Sequence, residues 1–416
     1  METGISYRRP RFGRPPPGVH SVFQHWSLVK FLSVVVILFG VLVSAECECG
    51  YSLGTIGGTA PGQQQQDIFF TDLVESNFAR LEHVSQYYTD WAPQAFNLSS
   101  ERARGNYGEM FAVENVAANP PRVVDGQKQQ QPYPAGRGGG GGGDGMELTV
   151  KGTIYLGMVP VAEVDTQRMD LSWGTFRASM KISHVPGTCA AFFWYFNDTQ
   201  EIDMEFLSKD FDPSNNSYPV NLVLQSREAA EAGYKAAETG NFVKAYLPFD
   251  PTKDLHEYRI DYMPGRVFFY ADGILLAQMN GSAVPSRSPG GHLILQHWSN
   301  GNPLWSGGPP REDAVLTVSY VKAYFNSSMP KSRADWVGRC KDPSASGAIC
   351  AIPNVTRTNK TAMGWFFSDH DEMTNNQTVD DDGKKNGCSS IGGEGVSWFV
   401  VAAVAVMTWG WMDDIL

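Results

Sequence analysis

Hydrophobic and polar residues alternate along much of this chain in short runs, which is the pattern of β-strands. One run shows it best, because Glu201, Asp203 and Glu205 alternate with the apolar residues Ile202 and Met204. Residues two apart on a strand point to the same face. We therefore expect the three acids on one face of a strand and the two apolar side chains in a core.

Other segments predict antiparallel strands joined by tight turns. Apolar and polar residues alternate in the same way within residues 256–273, and Pro264 and Gly265 in the middle of this segment are typical turn residues. Helical periodicity is rare, and residues 227–240 are the main exception, which we interpret as a surface helix or loop. Many short strands with few helices predict an all-β fold, an antiparallel β-sandwich.

Composition shifts predict where the folded domain ends. Residues 52–66 are rich in Gly and Gln, which predicts a flexible N-terminal segment over residues 46–66. A Gln run and a Gly run within residues 118–145 predict a disordered insertion, because such residues bury too little apolar surface. The polar residues 327–390, rich in glycosylation motifs, predict a glycosylated stalk. The remaining domain spans residues 67–326.

Both ends of the chain resemble targeting signals. Residues 1–45 predict a signal peptide, with basic residues, an apolar run at 31–43 and cleavage after Ala45; a signal anchor or an early start codon are the alternatives. Residues 391–416 follow small residues and a polar spacer, which is the layout of a GPI-anchor signal. A short membrane span or a plain hydrophobic tail are its alternatives.

The composition of the chain limits the kinds of molecule that it is expected to bind. Of the 416 residues, 42% are hydrophobic, which supports a real core. The formal net charge of −11 argues against a nucleic-acid partner, because phosphates attract basic surfaces. The sequence predicts a secreted protein of the cell surface or cell wall that is GPI-anchored to the plasma membrane, with attachment through the C-terminal tail itself as the alternative. It leaves the oligomeric state open.

Six cysteines suit the secretory route. Cys340 and Cys350 are spaced for a local disulfide, and Cys47 and Cys49 are too close together for an easy mutual bond. Cys189 and Cys388 are further candidates for disulfide pairing. No spacing of Cys and His residues in this chain predicts a zinc site.

Several Asn-x-Ser/Thr motifs predict glycosylation. The candidates are Asn97, Asn215, Asn280, Asn326, Asn354, Asn359 and Asn376. An eighth motif, at Asn197, lies four residues before Glu201, where a glycan would crowd the acids.

The acidic row is the strongest candidate for chemistry. Glycoside hydrolysis needs two carboxyl groups that flank the bond to be cleaved, about 5–5.5 Å apart in retaining enzymes. The Cα atoms of Glu201 and Glu205 are about 13 Å apart on a strand, and long side chains and sheet twist shorten that gap. Crowding raises the pKa of at least one acid, so that one can be an acid while another is a base. The alternative is a solvated strand with an acidic outer face.

The surroundings of these acids resemble glycoside hydrolase family 16. The resemblance rests on the Glu-x-Asp-x-Glu motif at 201–205, on the segments 173–183 and 256–273, and covers roughly residues 67–325. It implies a concanavalin-like jelly roll with a concave substrate cleft. It also implies Glu201 as nucleophile, Asp203 as assisting acid and Glu205 as general acid/base.

The motif lacks the extra residue found in laminarinase-type members. It therefore resembles the regular-strand branch, which comprises lichenases, plant xyloglucan transglycosylases and yeast chitin–glucan transglycosylases. Some relatives hold a structural calcium ion, and the sequence neither confirms nor excludes one; no other cofactor is expected.

A second segment, residues 293–308, begins as a buried strand and becomes a polar loop that contains tryptophan. Aromatic faces suit sugars, because a pyranose ring presents an apolar face. Tryptophans such as these are as often core residues, and a histidine is as often structural. The candidate substrate-binding residues are Trp194, His297, Trp298, Asn300 and Trp305.

The sequence thus predicts a retaining enzyme acting on β-glucan, of the endo-β-1,3(4)-glucanase type. A transglycosylase that cross-links chitin and glucan is the first alternative, because both share the chemistry up to the covalent intermediate. A lectin-like glucan-binding module without activity is the alternative of another class, and a purely structural wall protein is a third.

Overall fold

The computed structural model describes residues 46–56, 66–80, 90–120, 122–124, 127–129, 144–281, 283–284 and 288–370. Strands dominate these ranges. They are β1 Gly50–Ile56, β2 Gln66–Phe70, β3 Asp72–Asn77, β4 Trp91–Pro93, β5 Phe96–Leu98, β6 Gly108–Phe111, β7 Val116–Ala117, β8 Arg122–Val124, β9 Gln127–Gln129, β10 Met146–Val150, β11 Met158–Thr166, β12 Leu171–Lys181, β13 Cys189–Asn197, β14 Gln200–Leu207, β15 Pro219–Ser226, β16 Phe242–Tyr246, β17 His256–Met263, β18 Arg266–Ala271, β19 Ile274–Asn280, β20 His292–Trp298, β21 Ala314–Ser327 and β22 Ile349–Ala351.

Helices are few and short within these ranges. They are α1 Ser100–Ala103, α2 Arg227–Glu231 and α3 Pro330–Arg339, with 3₁₀ turns at Phe78–Arg80, Val113–Asn115, Ser208–Asp210, Ala236–Thr239, Thr361–Gly364 and Phe367–Asp369. The predicted surface helix or loop at 227–240 is therefore α2 and one 3₁₀ turn. Across the part of the chain that the structure describes, no helix has the length and apolar character needed to span a membrane.

Two large sheets, mostly antiparallel, form a sandwich. The first has the strand order β19-β18-β17-β12-β21-β10-β7, with β3 also paired to β21. The second has the order β16-β15-β14-β13-β20-β11-β6-β5, with β4 also paired to β11. Smaller sheets join β2, β1 and β22, and β8 with β9. The predicted all-β sandwich is confirmed.

The main core lies between the two large sheets. Side chains of alternate residues on β13 and β14 meet aromatic side chains of β17: the rings of Trp194 and Tyr262 lie 4.9 Å apart, and those of Phe206 and Tyr258 lie 4.7 Å apart. These four residues are fully buried. The alternation seen in the sequence thus produces one apolar face for the core and leaves the opposite face of β14 for the acids.

The segments before and after the sandwich pack against it, which corrects two predictions. Residues 46–56 are not flexible, because β1 pairs with β2 and with β22. Residues 327–370 are not a stalk, and we call them the C-terminal strap. The ring of Phe367 in this strap packs against Tyr51 and Tyr324, and all three residues are buried.

The disulfides also differ from the prediction. Cys340 and Cys350 do not pair with each other: Cys47 bonds to Cys350 and Cys49 bonds to Cys340. The local spacing was misleading because β1 lies beside β22, which brings both N-terminal cysteines to the strap. Among the cysteines that the structure describes, Cys189 alone forms no disulfide.

The predicted disordered insertion at 118–145 is wrong at its ends. Asn119 is buried, its side chain donates to the carbonyl of Ala79 (2.8 Å), and it accepts from the N–H of Gly145 (3.2 Å). Strands β8 and β9 pair with each other. The glycine run, the predicted signal peptide, the C-terminal tail, Asn376 and Cys388 lie outside the described residues.

Most of the predicted glycosylation sites that are described lie at the surface. Asn326 is partly buried, and its side-chain oxygen accepts a hydrogen bond from the Thr71 N–H (3.2 Å). Asn197 is also partly buried, and its side chain accepts from Thr199. The exposed ones are Asn97, Asn215, Asn280, Asn354 and Asn359.

Candidate active site

The acidic row lies on the outer face of β14. Ile202 and Met204 join the core, whereas Glu201 and Glu205 keep part of their surface open. The pairing of β14 with β13 and β15 continues without a shift from Glu201 to Glu205. The predicted regular strand is confirmed, and no bulge turns any of these acids to the other face.

Asp203 is the most enclosed of the three acids, at 4% exposure. Burial, followed by the charges of Glu201 and Glu205, raises the pKa of Asp203 well above its usual range. A hydrogen bond between Asp203 and Glu201 raises the pKa of Asp203 further and opposes the effect of burial on Glu201. Burial still raises the pKa of Glu201 to about 7. These opposite effects favour Asp203 as the proton donor of the pair and Glu201 as the acceptor.

Glu205 accepts two hydrogen bonds on one oxygen. The indole Nε1–H of Trp305 donates to Oε1 at 3.2 Å, and the thiol of Cys189 lies 3.6 Å from the same oxygen. Burial raises the pKa of Glu205, and these two donors oppose that rise. Trp305 thus reaches the acidic row by contacting Glu205.

Two loops form one wall beside the acids. The carbonyl of Asn300 accepts from the Tyr107 N–H (2.9 Å), the Asn300 amide donates to the Ala103 carbonyl (2.6 Å), and the Asn302 amide donates to the Arg104 carbonyl (3.1 Å). These bonds join the α1–β6 loop to the loop that follows β20. The loop that carries Trp305 is therefore held by hydrogen bonds to the α1–β6 loop as well as by its own turns.

Arg104 extends from this wall toward the β15–β16 connection. Its guanidinium lies over the ring of Tyr234, 4.7 Å from the centroid. Both residues have left-handed backbones, with φ of 55° and 62°, a conformation that non-glycine residues adopt mainly where the surroundings enforce it. The charge of Arg104 lowers the pKa of Glu201 and of Glu205.

A second group of acids shares the face and was missed by the sequence analysis. Neighbouring strands of the second sheet connect the two groups: Glu205 on β14 pairs with Ala191 on β13, which pairs with Gln296 on β20, and Gln296 pairs with Glu163 on β11. The side chain of Gln296 donates to Glu163. Burial raises the pKa of Glu163 to about 7, and burial with the nearby charge of Glu163 raises the pKa of Glu109 to about 8. The alternation of Glu163 with apolar neighbours on β11 is the signal that could have found this group.

Three predicted sugar contacts are wrong. Trp194 is fully buried on the core face, where its indole N–H donates to the Leu171 carbonyl (2.9 Å). His297 is fully buried between the Leu148 carbonyl and the Thr188 hydroxyl, both at 2.9 Å. Asn300 is 3% exposed and holds the wall together. The polar side-chain atoms of these three residues hydrogen-bond to other protein atoms. Their positions on the strands or in the loop point them away from the open face.

Trp298 differs from these three. It is opposite Cys189 in the register and therefore lies on the face of the acids. It is half-buried and packs against an apolar cluster that includes Val150 and Val159. Part of its surface remains open on that face. Within the described residues, no group of three or more His, Cys, Asp or Glu side chains is arranged to hold a metal ion.

The sequence profile described as "Glycosyl hydrolases family 16" matches residues 145–313. Residues 145–313 are therefore similar to the domain of this family. The match spans strands β10 to β20 and includes all three acids of the row. It confirms the resemblance that was recognised in the Glu-x-Asp-x-Glu motif.

The individual relatives of this chain are distant. A beta-glucanase of Paenibacillus macerans is 29% identical over 132 residues, which is 30% of this chain and 48% of the relative. Xyloglucan endotransglycosylase/hydrolase protein 8 of Oryza sativa subsp. japonica is 26% identical over 220 residues, 47% of this chain and 71% of the relative. The chain thus spans about half the length of the first relative.

A solved structure of a prokaryotic beta-1,3-1,4-glucanase (lichenase), derived from a mouse hindgut metagenome, is also similar. It is 17% identical, with a TM-score of 0.42, over 61% of this chain and 98% of that protein.

Proposed function

We propose that this protein is a retaining glycosidase that acts on cell-wall β-glucan. The observation that carries the proposal is the row of three acids on the open face of β14, in which Asp203 is hydrogen-bonded to Glu201 while Glu205 has separate donors. Two carboxyl groups in different environments are what a double-displacement reaction at a glycosidic bond needs. The beta-glucanase among the relatives supports β-glucan as the substrate.

In the proposed reaction, Glu201 attacks the anomeric carbon and forms a glycosyl-enzyme ester. Glu205 gives its proton to the leaving glycosidic oxygen, and later takes a proton from the acceptor as the ester is cleaved. Asp203 keeps Glu201 ionised by donating a hydrogen bond to it. Glu201 must be ionised and Glu205 protonated at the start, so we expect a bell-shaped dependence of kcat/KM on pH.

Transfer to another glycan is the second candidate. A relative named as a xyloglucan endotransglycosylase/hydrolase supports it, and so does the loop of Trp305 beside Glu205, which resembles the transglycosylase branch. The two reactions differ only in the acceptor. Products from a defined β-glucan oligosaccharide, with and without a labelled acceptor sugar, separate them: labelled longer products indicate transfer, and smaller sugars alone indicate hydrolysis.

Replacement of the nucleophile tests the enzyme proposal. We expect Glu201→Gln to abolish turnover of β-glucan and to leave glucan binding intact, because the amide keeps the shape of the side chain but cannot form the ester. The exposed Glu312→Gln serves as the control and should retain wild-type rates. Persistent activity in Glu201→Gln would exclude this nucleophile, and binding without turnover in the wild type would indicate a lectin-like module.

We further propose that the protein is secreted and glycosylated and that a GPI anchor, attached where its C-terminal signal is removed, holds it at the plasma membrane. Two disulfides support an oxidising compartment, because cytosolic disulfides are rare. Five exposed Asn-x-Ser/Thr sites support glycosylation.

A further inference from the structure

One oxygen of Glu205 is occupied by two donors from separate elements. Trp305 belongs to the loop after β20, and Cys189 is the first residue of β13. Their donor atoms lie 3.2 Å and 3.6 Å from Oε1. Cys189 is fully buried and forms no disulfide. Its thiol lies closer to Oε1 of Glu205 (3.6 Å) than to the Ala190 carbonyl oxygen (3.8 Å), the other acceptor within its reach.

The two donors make the oxygens of Glu205 unequal. A carboxylate oxygen has two lone pairs that can accept hydrogen bonds, and the indole and the thiol use both on Oε1. We propose that Trp305 and Cys189 are positioning residues that anchor Oε1 and thereby leave Oε2 as the atom that gives and takes the proton. This inference rests on the proposed function for the identity of the reaction, but the anchoring itself is independent of turnover.

Trp305 is held where this contact requires it. Its backbone N–H donates to the Asn302 carbonyl (3.0 Å), and the Gly307 N–H donates to the same carbonyl (2.8 Å). Its ring packs against Phe242, with centroids 6.3 Å apart. The loop therefore directs the indole N–H at Glu205 instead of leaving the ring free to turn toward solvent.

The donors also set the ionisation of Glu205. A hydrogen bond donated to a carboxylate favours its charged form and lowers its pKa. Removal of either donor therefore raises the pKa of Glu205. Because Glu205 must be protonated for the first step, the alkaline limb of the pH profile then moves to higher pH.

Conservative variants separate this role from simple packing. Trp305→Phe keeps an aromatic ring that could stack on a sugar but removes the N–H donor. Cys189→Ala removes the thiol, whereas Cys189→Ser restores a donor of similar size. Each variant is compared with the wild type by thermal unfolding, so that misfolded protein is recognised.

The experiment has two readouts. The first is the titration of the Glu205 carboxyl carbon by NMR in ¹³C-glutamate-labelled protein, with its signal assigned by its loss in Glu205→Gln. The second is the pH dependence of kcat/KM on a β-glucan oligosaccharide. We expect Trp305→Phe to raise the pKa of Glu205 by about one pH unit and to move the alkaline limb of the profile to higher pH by the same amount. Cys189→Ala should cause smaller shifts in the same direction. Cys189→Ser should resemble the wild type.

Other results would contradict either the inference or the proposed function, and the two cases can be told apart. An unchanged Glu205 titration in folded Trp305→Phe and Cys189→Ala overturns the inference, and a raised KM without a shifted limb would show that Trp305 only stacks on sugar. A wild type that titrates as expected but turns over no glucan would overturn the proposed function and leave the anchoring of Oε1 supported.

Discussion

At the scale of single residues, three acids on one strand acquire different properties from their neighbours. Asp203 has the shortest side chain and the most enclosed position, and its Oδ1 has no hydrogen-bond partner among the described residues. A neutral carboxyl tolerates that position far better than a carboxylate, because an unpaired buried charge is costly. Asp203 is therefore suited to donate a hydrogen bond from its carboxyl O–H to Glu201, and it is poorly suited to contact sugar.

This arrangement predicts opposite results for two substitutions of Asp203. Asn keeps a donor, so Asp203→Asn should retain kcat/KM within about tenfold of the wild type. Asp203→Ala removes the donor and raises the pKa of Glu201, which moves the acid limb of the profile to higher pH and lowers kcat/KM on the order of 10²-fold. Steady-state kinetics across the acid limb measure both effects. Equal losses in the two variants would contradict the donor role.

At the scale of elements, the site depends on loops that support each other. The wall between the α1–β6 loop and the Trp305 loop needs a close approach at Gly105, where an added Cβ would lie 2.3 Å from the Asn300 carbonyl oxygen. Both partners in that approach are backbone, so neither can rotate away. The glycine thus permits the hydrogen bonds that hold the Trp305 loop near Glu205.

We therefore expect Gly105→Ala to push the two loops apart and to lower kcat/KM, with a smaller loss of overall stability. Gly338 lies in α3, where an added Cβ would meet nothing within 4 Å, and Gly338→Ala is the matched control. Kinetics and thermal unfolding of both variants test this. Wild-type kinetics in Gly105→Ala would show that the wall does not position the site.

At the scale of the whole molecule, the C-terminal strap packs against residues of the first sheet. Lys322 on β21 is 3% exposed and donates to the carbonyls of Ala362 (3.2 Å) and Met363 (3.1 Å), and burial lowers its pKa to about 8. Arg177 on β12 donates to the Pro353 carbonyl (2.8 Å). The strap thus supplies acceptors for charges that the sheet buries, and two disulfides tie it to the N-terminal segment.

The packing of Phe367 tests this role. Its buried ring packs against the rings of both Tyr51 and Tyr324, so Phe367→Ala should lower the free energy of unfolding by about 3–5 kcal/mol. Val337→Ala, at a position that is 58% exposed, should change it by no more than about 0.5 kcal/mol. Chemical denaturation measures both values. If Phe367→Ala matched the control, the strap would not pack as described.

Much of the sandwich and of the acidic row was predictable because strand parity is a local property. Alternation at Ile202 and Met204 assigns these residues to the core whatever the rest of the chain does, and it assigns Glu201 and Glu205 to the other face. The same rule would have placed Glu163 on that face. Composition predicted the strap poorly, since its few buried aromatics, such as Phe367, stand among many polar residues.

The sequence by itself determined the fold class, the face on which the acids stand and the motif that marks family 16, because each follows from the order of neighbouring residues. Only the tertiary structure decided the cysteine partners, the donors on Glu205 and the burial of His297. These depend on which segments meet: the bonded cysteines are 303 and 291 positions apart, and Trp305 lies 100 positions from Glu205. Sheet pairing and loop packing bring such residues together, and no local pattern encodes them.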